Sequence, residues 1–139
     1  MKGQMRPEVS DKNPYWIERH RYYELRHFCL QYPIWKKARA ALTSLAQRPD
    51  DLEASGRASG ISDPTAKCAE ARLFYTDRIE MVEAAAKEAD PILADYILKG
   101  VTQDLSYEKI NAISRVPCGK DAYYIFYRRF FWILNKLRQ

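Results

Sequence analysis

Histidine and cysteine are scarce in this chain. Its 139 residues hold two histidines, His20 and His27, and three cysteines, Cys29, Cys68 and Cys118. No CxxC pair occurs. A zinc centre takes four nitrogen or sulfur ligands at paired spacings, so no metal site is expected. The two histidines stand seven residues apart, near one helical face, and read as partly buried or interfacial side chains. An odd number of widely spaced cysteines excludes a disulfide framework and predicts reduced thiols. Long apolar runs are also missing. None approaches the roughly 20 residues that cross a bilayer, so no membrane partner is expected. Met1 to Asn13 is polar and lacks the apolar core of a secretory signal. The expected location is therefore cytoplasmic, in the host cell.

Phosphate-loop glycines are absent too. Neither G-x-x-x-x-G-K-[ST] nor G-x-G-x-x-G is present. "SGRASG" at residues 55–60 has no lysine in the required place and reads as a flexible linker. Asp77, Glu80, Glu83 and Glu88 could act as paired acids, but their helical spacing fits a solvated face better. Cys118 follows a proline at a helix N-terminus, where the dipole would lower a thiol pKa. A small residue at a helix start explains it more simply. The sequence thus points to a binding protein and not an enzyme, without a cofactor.

What the chain does hold is charge, tyrosine and helical periodicity. Aromatic residues make up 13%, ten of them tyrosine, and net charge is +5. The charge is segregated: residues 1–48 carry net +6, residues 49–108 net −7 and residues 117–139 net +4. Basic ends suit a polyanion. They would equally suit docking on the chain's own acidic middle.

The expected fold is all-α, with about six helices, an N-terminal helical arm and a C-terminal trihelical helix-turn-helix. The expected organisation is a basic, aromatic-rich N-terminal region (1–48), a linker (49–63), and a long helix plus helix-turn-helix domain (64–139). "NPYW" opens the first helix, with Asn13 as cap and Pro14 at the first position, running to about Gln31. Pro33 breaks it and starts a second helix to about Gln47. A third runs from Pro64 to about Ala89, opened by Ser62 or Asp63. Asp90 caps and Pro91 starts a fourth, with Ile92, Leu93, Tyr96 and Ile97 inward and Gly100 closing it. Trp16, Tyr23, Phe28 and Trp35 are expected to form an N-terminal core on the long acidic helix.

Ser106 then caps "SYEKINAI", with Tyr107, Ile110 and Ile113 inward. "SRVPCG" makes a turn, and Lys120 to Leu137 forms the last helix. Its core face should hold Tyr123, Phe126, Tyr127, Phe130, Ile133, Leu134 and Leu137. Asp121, Tyr124, Arg128 and Asn135 should lie opposite, with Lys120 at the border. Ile125 and Trp132 point away from the core face and suggest a contact with the N-terminal helices or another subunit.

Residues 62–137 resemble phage-encoded transcriptional regulators of the RinA and ArpU type. The likeness rests on a long helix, an apolar helix, the Ser106-Tyr107-Glu108-x-Ile110 start, and a turn before a helix bearing Tyr123 and Tyr124. Cys118 and Gly119 stand where Ser-Arg often opens the recognition helix. The resemblance implies a sigma-factor region-four-like helix-turn-helix that binds double-stranded DNA. Host RNA polymerase and a second copy of the chain are the further partners such a regulator could meet. In a helix-turn-helix the last helix enters the major groove. Lys120, Tyr124 and Arg128 are then the expected base contacts, and Lys109, Arg115 and Arg129 the expected phosphate contacts. The alternative is a helical protein-interaction module, such as a phage-encoded inhibitor or adaptor of a host machine. Tyrosine and arginine also dominate protein hot spots.

Overall fold

In the computed structural model, residues 13–46 and 64–139 are described. They form six α-helices and no strand: α1 (Arg19–Leu30), α2 (Tyr32–Ala46), α3 (Pro64–Ala89), α4 (Ala94–Gln103), α5 (Tyr107–Ser114) and α6 (Lys120–Leu137). The fold is all-α. Among the described residues, no helix is long and apolar enough to cross a membrane. Ser62 and Asp63, the expected opening of α3, lie outside the described residues, as does Gln47.

The chain parts into two compact units. Residues 13–32 join Met81–Gln139 in one, and the described part of Pro33–Glu80 makes the other. The boundaries expected at 48 and 63 partition the chain differently, and residues 49–63 lie outside the described set.

In the first unit α1 packs on α4 and α6, and α4, α5 and α6 pack pairwise. Local chemistry explains several of the chain's turns and helix ends. Asn13 caps only a turn, with its Oδ1 accepting from the Tyr15 N–H at 3.0 Å. The helix itself starts later, where the Glu18 carboxylate accepts from the His20 N–H at 3.1 Å. Asp90 Oδ2 accepts from the N–H groups of Ile92 (3.1 Å) and Leu93 (2.9 Å), but regular helix begins only at Ala94. Ile92, expected inward, is exposed on that turn.

Gly100 does not close α4. It is buried within the helix, and Asp104 ends it in the left-handed region at φ 55°. Gly100 serves close approach instead: a Cβ there would collide with the Tyr123 hydroxyl and crowd Ile110 Cδ1 at 3.1 Å.

The N-terminal aromatic core differs from expectation. Ile17, Tyr22, Leu25, Phe28 and Cys29 are buried, whereas Trp16 is 44% exposed and Tyr23 is half-buried. Trp35 is buried but belongs to the other unit. The apolar side of α1 meets α4 and α6, not chiefly the long helix. The long helix is reached by Tyr32, whose hydroxyl donates to Glu83 Oε2 at 2.5 Å.

Candidate nucleic-acid interface

The short α5 is pinned at both ends. The Ser106 hydroxyl accepts from the Lys109 N–H at 3.3 Å, as an N-cap should. At its C-terminus Arg115 takes φ 46°, a positive value that is unfavourable for a residue with a Cβ. The next residue turns inward: Val116 is buried, and its N–H donates to Asn111 Oδ1 at 2.9 Å. The Tyr107 hydroxyl donates to the Cys118 carbonyl at 2.6 Å, tying the start of α5 to the end of the turn. Gly119 then caps α6 without a side-chain bond.

These constraints fix where the expected contact residues lie. Lys109 and Arg115 are exposed beside the turn. Lys120 is exposed at the first turn of α6, and its Nζ pairs with Glu108 Oε2 at 2.8 Å. The hydrogen bond from Lys120 holds the Glu108 carboxyl below the usual carboxylate range and raises the Lys120 ammonium above its own. Arg128 is half-buried, and partial desolvation draws its guanidinium below the usual value against the pull of Asp121. It stays cationic.

Two of the expected contacts are engaged inside the protein. Tyr124 is 2% exposed, and its hydroxyl accepts from the Tyr107 N–H at 3.2 Å. Its ring packs against Tyr123 and Tyr127, at centroid distances of 5.0 and 5.3 Å. Tyr124 is therefore a core residue and cannot face a groove. Arg129 donates to the Tyr15 hydroxyl at 3.3 Å and to the Glu88 carbonyl at 3.5 Å. It fastens the N-terminal segment to the end of α3.

The buried arc of α6 is displaced from the one expected. Phe131, not assigned to the core from sequence, is fully buried against Tyr22 and Tyr127, at 5.1 Å from each. Leu137, assigned to it, is 45% exposed. Docking of α1 on α6 accounts for the displacement. Arg21 on α1 bonds Asn135 Oδ1 at 2.6 Å and the Arg138 carbonyl at 3.3 Å, drawing that flank inward. Trp132 meets the N-terminal segment, edge-on to Tyr15 at 5.6 Å, so the first of its two expected contacts is the one observed. The apolar spacing of α5 also misled at one place. Ile110 is buried, but Ile113 is 72% exposed because the helix stops one residue later.

The segregated charge is partly satisfied within the chain. Arg26 pairs with Asp104 at 2.8 Å and Lys120 with Glu108, each joining a basic end to the acidic middle. Lys120, Asp121, Ile125, Lys136 and Leu137 are exposed on α6 and Arg128 is half-buried, with Lys109 and Arg115 exposed beside the turn.

Among the described residues, no group of three His, Cys, Asp or Glu side chains comes together as a metal site. Cys118 has no lowered pKa. Desolvation, then the Asp90 carboxylate, raise its thiol above the usual value, so the dipole does not dominate there. No protein-family model, curated protein or solved structure matches this chain.

Proposed function

We propose that the α4–α5–α6 unit binds double-stranded DNA and that the protein is a sequence-specific regulator of phage or prophage type. One observation carries the reading. A tight turn joins two mutually packed helices, and exposed basic side chains (Lys109, Arg115 and Lys120) flank it in sequence, with Arg128 two turns along α6. The resemblance of residues 62–137 to RinA- and ArpU-type regulators supports the same reading. In this proposal α6 enters the major groove. Arg128 reads a base edge, Ile125 offers an apolar contact to a thymine methyl, and Lys109, Arg115 and Lys120 hold phosphates. Tyr124 has no part in it, and Arg129 acts as a brace.

A second reading rests on a different observation. Ile113 and Ile125 are 72% and 46% exposed, an apolar display that would suit a protein partner. Selection of random duplex DNA by the purified protein, followed by sequencing, separates the two. DNA binding predicts an enriched, position-constrained motif. Uniform weak retention at physiological salt would favour the protein partner.

A further inference from the structure

The two-helix unit contains a feature that the DNA reading leaves unused. Helix α2 contributes Arg39 and Thr43, one turn apart. Helix α3 contributes Ala69, Arg72, Leu73 and Thr76, at spacings of three and four. Together they line an open cleft of about 340 Å³. A seam between two helices is normally apolar. This one also carries two guanidinium groups and two hydroxyls, and among the described residues no carboxylate lines it.

The hydrogen bonds leave donors over. Arg39 Nη1 donates to Thr76 Oγ1 at 3.4 Å, so the Thr76 hydroxyl accepts and keeps its own proton to give. The Thr43 hydroxyl is spent on the Arg39 carbonyl at 3.0 Å. Arg72 Nε is withdrawn from solvent without a hydrogen-bond partner. A buried, unpaired guanidinium N–H is costly. Two cations in one cleft, with no anion among the described lining residues, add to that cost.

We propose that this cleft binds a single phosphate group. Arg39, Arg72 and the Thr76 hydroxyl line the same cleft, and two guanidinium charges suit a doubly charged phosphate better than a singly charged carboxylate. The phosphate could be inorganic or the ester of a nucleotide or nucleic acid; the chemistry recognised is the same. The inference does not depend on the DNA reading, because it concerns a different unit of the chain.

The test is an NMR titration of the full-length ¹⁵N-labelled protein at constant ionic strength. Sodium phosphate should shift the Arg72 Nε–H signal and the amides of Thr43 and Thr76, and the shifts should saturate. Sodium acetate and sodium chloride should leave the Arg72 signal in place. Parallel titrations with a nucleoside 5′-monophosphate and a short DNA duplex identify the source, through whichever moves the Arg72 signal at the lowest concentration. The Arg72→Lys protein keeps the charge but loses the fork. It should retain its amide spectrum outside the cleft and bind phosphate at least tenfold more weakly. The proposal is overturned if no phosphate compound moves the Arg72 signal. It is equally overturned if acetate moves that signal as far, or if Arg72→Lys binds as well as the parent.

Discussion

The Tyr124 hydroxyl accepts a hydrogen bond from the Tyr107 backbone N–H at 3.2 Å, joining the first turn of α6 to the first residue of α5. That N–H belongs to a helix start, where no intrahelical acceptor exists. Tyr124 therefore supplies what a cap would supply, from the neighbouring helix. Replacing it by Phe keeps the ring packing and removes only the acceptor. Tyr124→Phe should cost about 1 kcal/mol of stability and leave DNA affinity at low temperature unchanged. Melting curves and binding isotherms on the same sample check both. A loss of affinity at full stability would return Tyr124 to the contact surface.

Tyr123 and Gly100 make a second pair with opposed requirements. Gly100→Ala should destabilise by about 1–3 kcal/mol, because the new methyl meets the Tyr123 hydroxyl. That hydroxyl is buried without a hydrogen-bond partner. Tyr123→Phe should then be neutral or slightly stabilising. The double variant should recover much of the Gly100→Ala loss, so denaturant unfolding of all four proteins should show clear non-additivity. Strict additivity would mean that the hydroxyl is not the obstacle.

The helices were largely legible in the sequence, and the contact surface only in part. Pro33, Pro64 and Ser106 are local signals, and α2, α3 and α5 begin within one residue of them. Periodicity also put Tyr123, Tyr127, Phe130, Ile133 and Leu134 inward. Helical period alone does not say how wide the buried arc is, because that depends on which other helices dock. Tyr124 and Phe131 lie on the flank that α5 and α1 cover, and both were lost for that reason. Gly100 was misread because its role is a long-range approach to Tyr123, which leaves no trace in the surrounding residues. The Arg39–Arg72 cleft was invisible for the same reason, since its halves are far apart in sequence.

The Lys120–Glu108 pair gives a pH prediction. The ammonium holds the fully exposed Glu108 carboxyl below its ordinary range. A depressed folded value means that the pair contributes above the ordinary carboxylate range and is lost as pH falls through the depressed value. The raised Lys120 value sets the other limit, with the contribution lost as pH rises through it. Replacing Lys120 by Met should return the Glu108 titration, followed by NMR, towards the ordinary value. Glu108→Gln should free Lys120 and strengthen DNA binding at low salt under the proposed function. Unchanged or weaker binding would count against Lys120 as a phosphate contact.

Arg115 joins a strained backbone to an exposed charge, and the two can be tested apart. Its φ of 46° favours glycine. Arg115→Gly should be neutral or stabilising by up to about 1 kcal/mol, while Arg115→Ala should keep the strain. Both should weaken DNA binding alike and reduce the salt dependence by about one unit. Equal affinity for parent and variants would remove Arg115 from the interface.

Arg128 decides between the two functional readings. It lies on the outward side of α6, one turn beyond the exposed Ile125, and is half-buried. Desolvation already lowers its guanidinium value, so the group is placed where part of its hydration has been given up. A guanidinium in that state binds a guanine edge at less further cost than a fully hydrated one. Under the DNA reading, Arg128→Ala should weaken the selected site by about 1–3 kcal/mol and relax preference at one base pair. Stability should change little, because the side chain is outside the core that Tyr127, Phe130 and Phe131 form. Under the protein-partner reading, the same change leaves DNA retention as it was and acts on melting temperature or on capture of a protein. Arg128→Lys refines the distinction. Lysine keeps the charge but cannot make the forked contact, so base preference should relax while non-specific binding persists. Loss of stability in both variants with DNA affinity intact would assign Arg128 to the scaffold and remove α6 as the reading helix.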